Sequence, residues 1–229
     1  MLIPNISTVI SGPPKTGKTH LALTWPAPIV LYSFEGGAQY VAETKFAKKE
    51  IVIRNYQIPV QYSVASGPAW AHKLWEEIHK QYQEDVSGKK FATVILDTGT
   101  HLWEIVRSAF EEKLGHDIGK ARNYGEPNSN MAWVLRYPLT MGMNLVAIQY
   151  LKDVYVNDQA TGEQDIDGFK RTKGLADVAL TTKRAGKDIV TRITDCRFAL
   201  DLCDTEHKNL THEQLMLLLG IPMPKKEAK

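Results

Sequence analysis

The sequence predicts an α/β fold with a mostly parallel central sheet, helices on both faces and a late antiparallel hairpin at one edge. Two observations support this fold class. Short continuous apolar runs alternate along the chain with segments of helical apolar spacing, as in parallel sheets whose strands are buried on both faces. Towards the C-terminal end, two alternating segments flank Ala185 and Gly186, which predicts the hairpin.

The first half of the chain is expected to alternate strand and helix. The first run is β-branched, Pro26 stops the helix that follows it, and ATVILD is the clearest buried strand of the chain. In chain order we predict a strand over 6–11, a helix over 18–25, strands over 29–34 and 51–56, a helix over 68–85 and a strand over 92–97.

The second half contains two predicted loops. Residues 115–130 are rich in Gly, Asn and Pro, and residues 151–174 are polar and charged, so neither is assigned regular structure. Around them we predict helices over 101–114 and 131–143 (the second kinked at Pro138), a strand over 144–149, hairpin strands over 177–182 and 188–194, and a helix over 211–219 capped by Thr211. We expect one domain over 1–220 and a flexible tail over 221–229.

The composition limits the function classes. Of 229 residues, 43% are hydrophobic and 24% are charged, as in soluble globular proteins, and the net charge of +2 permits nucleic-acid binding without arguing for it. Two cysteines cannot complete a zinc quartet. No stretch approaches the ~20 apolar residues of a membrane span, and no signal peptide is visible, so we expect a cytoplasmic protein with no membrane partner.

Residues 12–19 carry the clearest functional motif. GPPKTGKT fits the phosphate-binding pattern G-x-x-x-x-G-K-[ST] between a predicted strand and a predicted helix. Backbone N–H groups would surround the phosphates, Lys18 would reach the β- and γ-phosphates, and the Thr19 hydroxyl would bind Mg²⁺. The motif predicts a P-loop nucleoside triphosphatase with ATP and Mg²⁺ as cofactors. The predicted nucleotide contacts are Gly12, Pro13, Pro14, Lys15, Thr16, Gly17, Lys18, Thr19 and His20.

Polar residues end three of the predicted strands. Because the carboxyl ends of parallel strands share one edge, Glu35, Asp97 and Gln149 should converge on the P-loop. Asp97 is predicted to support Mg²⁺ through water, and it could also cap the next helix. Thr98 follows it in place of a catalytic Glu, so we predict that Glu35 is the general base, with an ordinary turn carboxylate as the alternative. Gln149 is the predicted γ-phosphate sensor or simply a polar strand end.

These residues together resemble the RecA-like P-loop ATPases, and among them the phage branch of AAA-type nucleotide-binding or Sak-type single-strand-annealing proteins. The resemblance covers residues 6–194 and rests on GPPKTGKT, on Glu35 with two following glycines, on VILDT, on the strand that ends at Gln149, and on GFKRTKGLADVAL. It implies that Lys18 and Thr19 bind phosphate and Mg²⁺, and that Asp97 supports the metal. It also implies Glu35 as the base and Gln149 as the sensor.

The resemblance further implies an ATPase that acts in phage DNA recombination or single-strand annealing, in the cytoplasm of a bacterial host. Its expected partners are single-stranded DNA, a phage single-strand-binding protein and further copies of the chain in a ring or filament. One alternative is an ATP-driven loader or switch that acts on a protein without touching DNA. The other is a small-molecule kinase. Kinases of this fold need an Arg-rich lid over the transferred phosphate, and the basic residues Lys and Arg occur in 115–130 only as Lys120 and Arg122.

The segment 168–174 is the predicted link between ATP and DNA. Its cations Lys170, Arg171 and Lys173 would neutralise DNA phosphates, while Phe169 would stack on a base. The same cations could instead reach the ATP of a neighbouring subunit, or the loop could be merely solvated. Acidic residues earlier in the loop count against a simple basic groove.

Overall fold

The computed structural model describes residues 5–58, 70–119 and 124–222. The strands are β1 (Ser7–Ser11), β2 (Ile29–Ser33), β3 (Ile51–Asn55), β4 (Thr93–Asp97), β5 (Asn144–Gln149), β6 (Leu151–Val156), β7 (Gln159–Ile166), β8 (Val178–Ala185), β9 (Asp188–Cys196) and β10 (Glu206–Lys208). The helices are α1 (Lys18–Ala22), α2 (Ala38–Lys45), α3 (Ala71–Ser87), α4 (Gly99–Leu114), α5 (Gly125–Thr140), α6 (Thr172–Leu175) and α7 (His212–Leu218), with a 3₁₀ helix over Leu200–Leu202.

Eight of these strands form one sheet in the order β10-β9-β8-β1-β5-β4-β2-β3. The strands from β8 to β3 run parallel, whereas β9 pairs antiparallel with both β8 and β10. The predicted fold class is therefore confirmed, including the hairpin that turns at Gly186. Strand β1 lies inside the sheet between β5 and β8, so the loop that follows it is flanked on both sides.

Two apolar cores lie on opposite faces of the sheet, because successive residues of a strand point to opposite faces. On β4, Val94 and Leu96 pack in the core that contains α3, α4 and α5. Their neighbour Ile95 packs in the other core, with α1, α2 and α7. Strands β1, β2, β4 and β5 are buried along their whole length, which explains the largely apolar runs of β2, β4 and β5.

The register of the sheet brings the predicted site residues to one edge. Ser33 at the end of β2 is level with Asp97 at the end of β4, and Ser11 at the end of β1 is level with Gln149 at the end of β5. The P-loop leaves β1 at this edge, and Glu35 follows β2 there.

The prediction of a loop over 115–130 is wrong at its C-terminal end, where α5 begins at Gly125. Pro127 lies in the first turn of that helix, where backbone N–H groups have no partner within the helix, so proline is tolerated. Glu126 in the same turn binds Lys113 of α4 at 2.8 Å. Residues 120–123, including Lys120 and Arg122, lie outside the described part of the chain.

The prediction that 151–174 lacks regular structure is also wrong. Strands β6 and β7 form an antiparallel hairpin separate from the main sheet, and α6 follows. Asn157 and Asp158 make the turn with φ values of 50° and 60°. Both strands are largely exposed, so their sequences lack the alternation of apolar and polar residues that marks a half-buried strand.

At the C-terminal end, α7 begins after Thr211. The Thr211 side chain accepts a hydrogen bond from the Gln214 backbone N–H, as predicted for an N-cap. The tail predicted over 221–229 lies outside the described residues from 223 onwards. Among the helices in the described ranges, none combines the length and apolar character that crossing a membrane requires.

Candidate functional site

The P-loop follows β1 and is packed against the β8–β9 hairpin. A Cβ atom on Gly12, where φ is +145°, would lie 2.5 Å from the carbonyl oxygen of Thr182. A Cβ on Gly17, where φ is +90°, would lie 2.3 Å from Ile189 Cδ1. The Thr16 and Thr182 hydroxyl oxygens are 2.7 Å apart. The glycines of the motif are therefore required by a tight loop as well as by phosphate.

The outer part of the P-loop is open to solvent. Pro13, Pro14 and Lys15 are exposed, whereas Thr16 is buried and donates its hydroxyl hydrogen to Pro13 O at 2.8 Å. His20 on α1 is exposed, with its ring centroid 5.0 Å from that of Phe46. Helix α1 ends at Ala22, three residues before the predicted end, and turns lead from there to Pro26.

Lys18 is a buried cation at the centre of the loop, with 7% of its surface exposed. Its ammonium donates to Gly12 O at 2.8 Å and to Pro13 O at 2.7 Å. Burial lowers the pKa of Lys18, while the nearby carboxylates Asp97 and Glu35 raise it. Two backbone carbonyls of the loop therefore hold the Lys18 ammonium in place.

Asp97 lies beside the P-loop, as expected for the end of β4, and it contacts Thr19. The Thr19 hydroxyl donates to Asp97 Oδ2 at 2.9 Å, and Asp97 is 8% exposed. Burial raises the pKa of Asp97 to about 6. The helix-capping role belongs to the next residue, because the Thr98 hydroxyl accepts the His101 backbone N–H at the start of α4. Asp97 is thus left to face the P-loop.

Glu35 is held by two side chains. Its Oε1 lies 2.9 Å from His101 Nδ1, and its Oε2 accepts the Tyr150 hydroxyl hydrogen at 2.5 Å. The bond with His101 is the main cause that lowers the pKa of Glu35. Burial, the next largest effect, raises it, and the Tyr150 bond and Lys18 lower it again. The same bond raises the pKa of His101. Glu35 is therefore a fixed, ionised carboxylate beside Lys18 and Asp97.

Gln149 lies at the predicted edge, but its amide is turned away from the P-loop residues. The side chain is buried, and its Nε2 donates to Thr172 Oγ1 of α6 at 3.2 Å. Its Oε1 is buried and makes no hydrogen bond in the described structure. A Cβ on Gly168 would lie 3.5 Å from Gln149 Nε2, so segment 168–174 covers this amide.

The predicted DNA-contacting residues fall into three environments. Lys170 and Arg171 are exposed just before α6. Lys173 forms an ion pair with Asp165 of β7 at 3.0 Å. Phe169 is only 2% exposed, and its ring centroid lies 5.4 Å from that of Trp103. The prediction that Phe169 stacks on a base is therefore wrong, because the ring belongs to the core.

Sequence reasoning missed His101 and Tyr150. Tyr150 follows Gln149 at the end of β5, and His101 lies on the first turn of α4, four residues after Asp97. Tyr150 could have been found from its position, because it directly follows a strand that ends at the P-loop edge of the sheet. No sequence pattern pairs His101 with Glu35, because the contact depends on how α4 leaves β4.

Comparison with known protein families identifies the family of this chain. The profile of the AAA domain family matches residues 4–206, from before β1 to the first residue of β10. No curated protein matches the chain. The matched range contains the P-loop, Glu35, Asp97 and Gln149, and it covers most of the 229 residues. This chain belongs to the AAA domain family of P-loop ATPases.

Proposed function

We propose that this chain binds ATP with Mg²⁺ at the P-loop edge of the sheet and hydrolyses the terminal phosphate. One observation carries the proposal. A P-loop lysine, a hydrogen-bonded hydroxyl–carboxylate pair and a fixed carboxylate are brought together from the ends of three strands: Lys18 and Thr19 after β1, Glu35 after β2 and Asp97 on β4. These are the parts that phosphoryl transfer to water requires.

Thr19 and Asp97 fit a magnesium site by their chemistry. A hydroxyl and a carboxylate are the hard oxygen ligands that Mg²⁺ prefers, and it usually completes its shell with water and phosphate oxygens. Burial raises the Asp97 pKa to about 6, so a cation nearby would favour the ionised carboxylate. When bound, Mg²⁺ would neutralise charge on the phosphate oxygens.

The proposed reaction transfers the γ-phosphoryl group to water. Glu35 accepts a proton as the water oxygen bonds to the γ-phosphorus, and the bond from that phosphorus to the bridging oxygen breaks, which gives ADP and inorganic phosphate. Lys18 would leave the carbonyls of Gly12 and Pro13 to bind phosphate oxygens, which carry more negative charge. Glu35 needs no reorganisation to act, because two donors already hold it.

The decisive experiment is ATP turnover by Glu35→Gln. The variant keeps the size of the side chain and loses the base, so kcat should fall by about 10²-fold or more while the Kd for Mg-ATP stays close to that of the wild type. Glu43→Gln, an exposed change on α2, is the matched control. Normal turnover by Glu35→Gln would reject the proposed base.

We propose, further, that hydrolysis is coupled to single-stranded DNA in recombination or annealing of the phage type. Support comes from Lys170 and Arg171, which are exposed in the segment that Gln149 binds through Thr172. Lys173 is not included, since Asp165 already neutralises it. A change at the end of β5 would therefore be passed to two exposed cations only a few residues away.

The Lys170→Ala/Arg171→Ala double variant tests this coupling. Contact with DNA predicts weaker binding of single strands and a shallower salt dependence, with basal ATPase unchanged. Contact with the nucleotide of a neighbouring copy in a ring or filament predicts loss of ATPase without DNA. Unchanged DNA binding and ATPase would reject both, and would favour the alternative of a switch that acts on a protein partner.

A further inference from the structure

Tyr150 contacts two of the groups to which the proposed function gives a role. Its hydroxyl donates to Glu35 Oε2 at 2.5 Å, and its ring lies under the Lys18 ammonium, with Nζ 5.1 Å from the ring centroid. A cation over an aromatic face is attracted by the ring's electrons. One side chain thus spans the distance between the phosphate-binding cation and the carboxylate.

The backbone of Tyr150 is fixed from two sides. Its N–H donates to Thr100 Oγ1 of α4 at 3.1 Å, and its carbonyl accepts the Asp167 N–H at 2.7 Å. The Thr100 hydroxyl also donates to Asp167 O, at 2.7 Å, so strand end, helix and hairpin base form one hydrogen-bonded corner. A side chain on such an anchor can hold its partner in one place.

Glu35 itself has a weaker anchor. It lies after β2 on an exposed turn, followed by Gly36 at a φ of +74°. Its side chain is 36% exposed, compared with 26% for His101. Without bound partners, a carboxylate on such a turn would sample several rotamers. The bonds from His101 and Tyr150 restrict it to a position beside Lys18.

We infer that Tyr150 is a positioning residue for the proposed hydrolysis: its hydroxyl fixes Glu35 beside the P-loop, and its ring holds Lys18. The inference rests on the proposed function, in which the Glu35 carboxylate acts on water. The two contacts of Tyr150 have different roles. The hydroxyl serves turnover through Glu35, whereas the ring serves nucleotide binding through Lys18.

Paired variants of Tyr150 measure the two contacts. Tyr150→Phe removes only the hydroxyl, so kcat should fall about tenfold or more, the value of a hydrogen bond to a charged group, while KM and the Kd for Mg-ATP change little. Tyr150→Leu also removes the ring, so KM should rise as well. Tyr155→Phe is the same chemical change at an exposed site of the β6–β7 hairpin, and its kinetics should match those of the wild type.

The pH dependence of kcat separates positioning from a merely structural role. Groups that face Glu35 are Lys18 on α1, Asp97 on β4, His101 on α4 and Tyr150 after β5. The His101 bond lowers the Glu35 pKa most, and the Tyr150 bond adds to it. A base must be ionised, so activity falls as pH drops through its pKa. Tyr150→Phe should therefore move the acidic limb to higher pH.

Each result has one reading. A lower kcat, an unchanged KM and a shifted acidic limb in Tyr150→Phe support the inference. Unchanged kcat in Tyr150→Phe, with Glu35→Gln inactive, overturns the inference and leaves the proposed function in place. Full turnover by Glu35→Gln overturns both, since no carboxylate is then left to position. A lower kcat with an unmoved limb also overturns it.

Discussion

Thr19 and Asp97, 78 positions apart in the chain, are joined by a 2.9 Å hydrogen bond from the threonine hydroxyl to Asp97 Oδ2. The bond connects the helix of the P-loop with the end of β4, on the far side of β5 from β1. A hydroxyl and a carboxylate in contact can turn together towards one cation. This pair gives the first prediction.

Asp97→Asn should weaken the Mg²⁺-dependent part of ATP binding. An amide cannot supply the negative charge, and loss of a residue that supports a metal through water typically reduces affinity by about 10–100-fold. Titration calorimetry with ATP should show this loss in Mg²⁺ and little change in EDTA. An equal loss in both would mean that Asp97 supports the loop and not the metal.

Lys18→Ala should abolish tight ATP binding, because the loop loses the buried cation that we propose binds the phosphates. It should also reduce the free energy of unfolding by about 1 kcal/mol, since the carbonyls of Gly12 and Pro13 lose their donor. Fluorescent-nucleotide titration and chemical denaturation measure the two effects. Lys48→Ala, an exposed change, should alter neither. Wild-type affinity in Lys18→Ala would contradict the site.

Gly17→Ala should reduce stability by about 1–3 kcal/mol, because a side chain there has an unfavourable φ and meets Ile189. Gly186→Ala has a φ of +63° but open space around it, so it should lose only about 1 kcal/mol. Denaturant unfolding of both variants isolates the clash. Adding Ile189→Ala to Gly17→Ala should recover part of the difference, and no recovery would place the strain elsewhere.

The His212 side chain should contribute a loss of stability as pH falls from about 6.5 towards 4, whereas the raised pKa of Asp97 acts in the opposite direction. Burial, with Lys49 nearby, lowers the pKa of His212 to about 4. In that range the unfolded chain binds a proton that the folded protein does not. Through this group, the free energy of unfolding therefore decreases by up to about 1.4 kcal/mol for each unit by which the pH falls. Relative to the wild type, the melting temperature of His212→Asn should therefore rise as pH falls through this range. Exposed His116→Asn should behave like the wild type.

The sequence predicted the central sheet well because its strands are buried on both faces and read as unbroken apolar runs. It also predicted that Asp97 lies beside the P-loop, since motif spacing and strand order determine which strand ends meet. The β6–β7 hairpin was missed because it is exposed and has no core-facing pattern. The contact of Tyr150 with Glu35 joins residues 115 positions apart and depends on side-chain direction, which neither periodicity nor motif encodes.

The central place of β1 has a consequence for synthesis on the ribosome. This strand is made first, yet its two neighbours in the sheet, β5 and β8, come late in the chain. Ser11 and Thr181, whose hydroxyl oxygens are 3.0 Å apart, are separated by 170 positions. At about 5–20 residues per second, the nascent β1 therefore waits roughly 10–30 seconds for β8, its second partner. Until β5 is made, this strand, which is buried in the folded protein, has neither of its sheet neighbours, so we expect chaperones to bind the nascent chain.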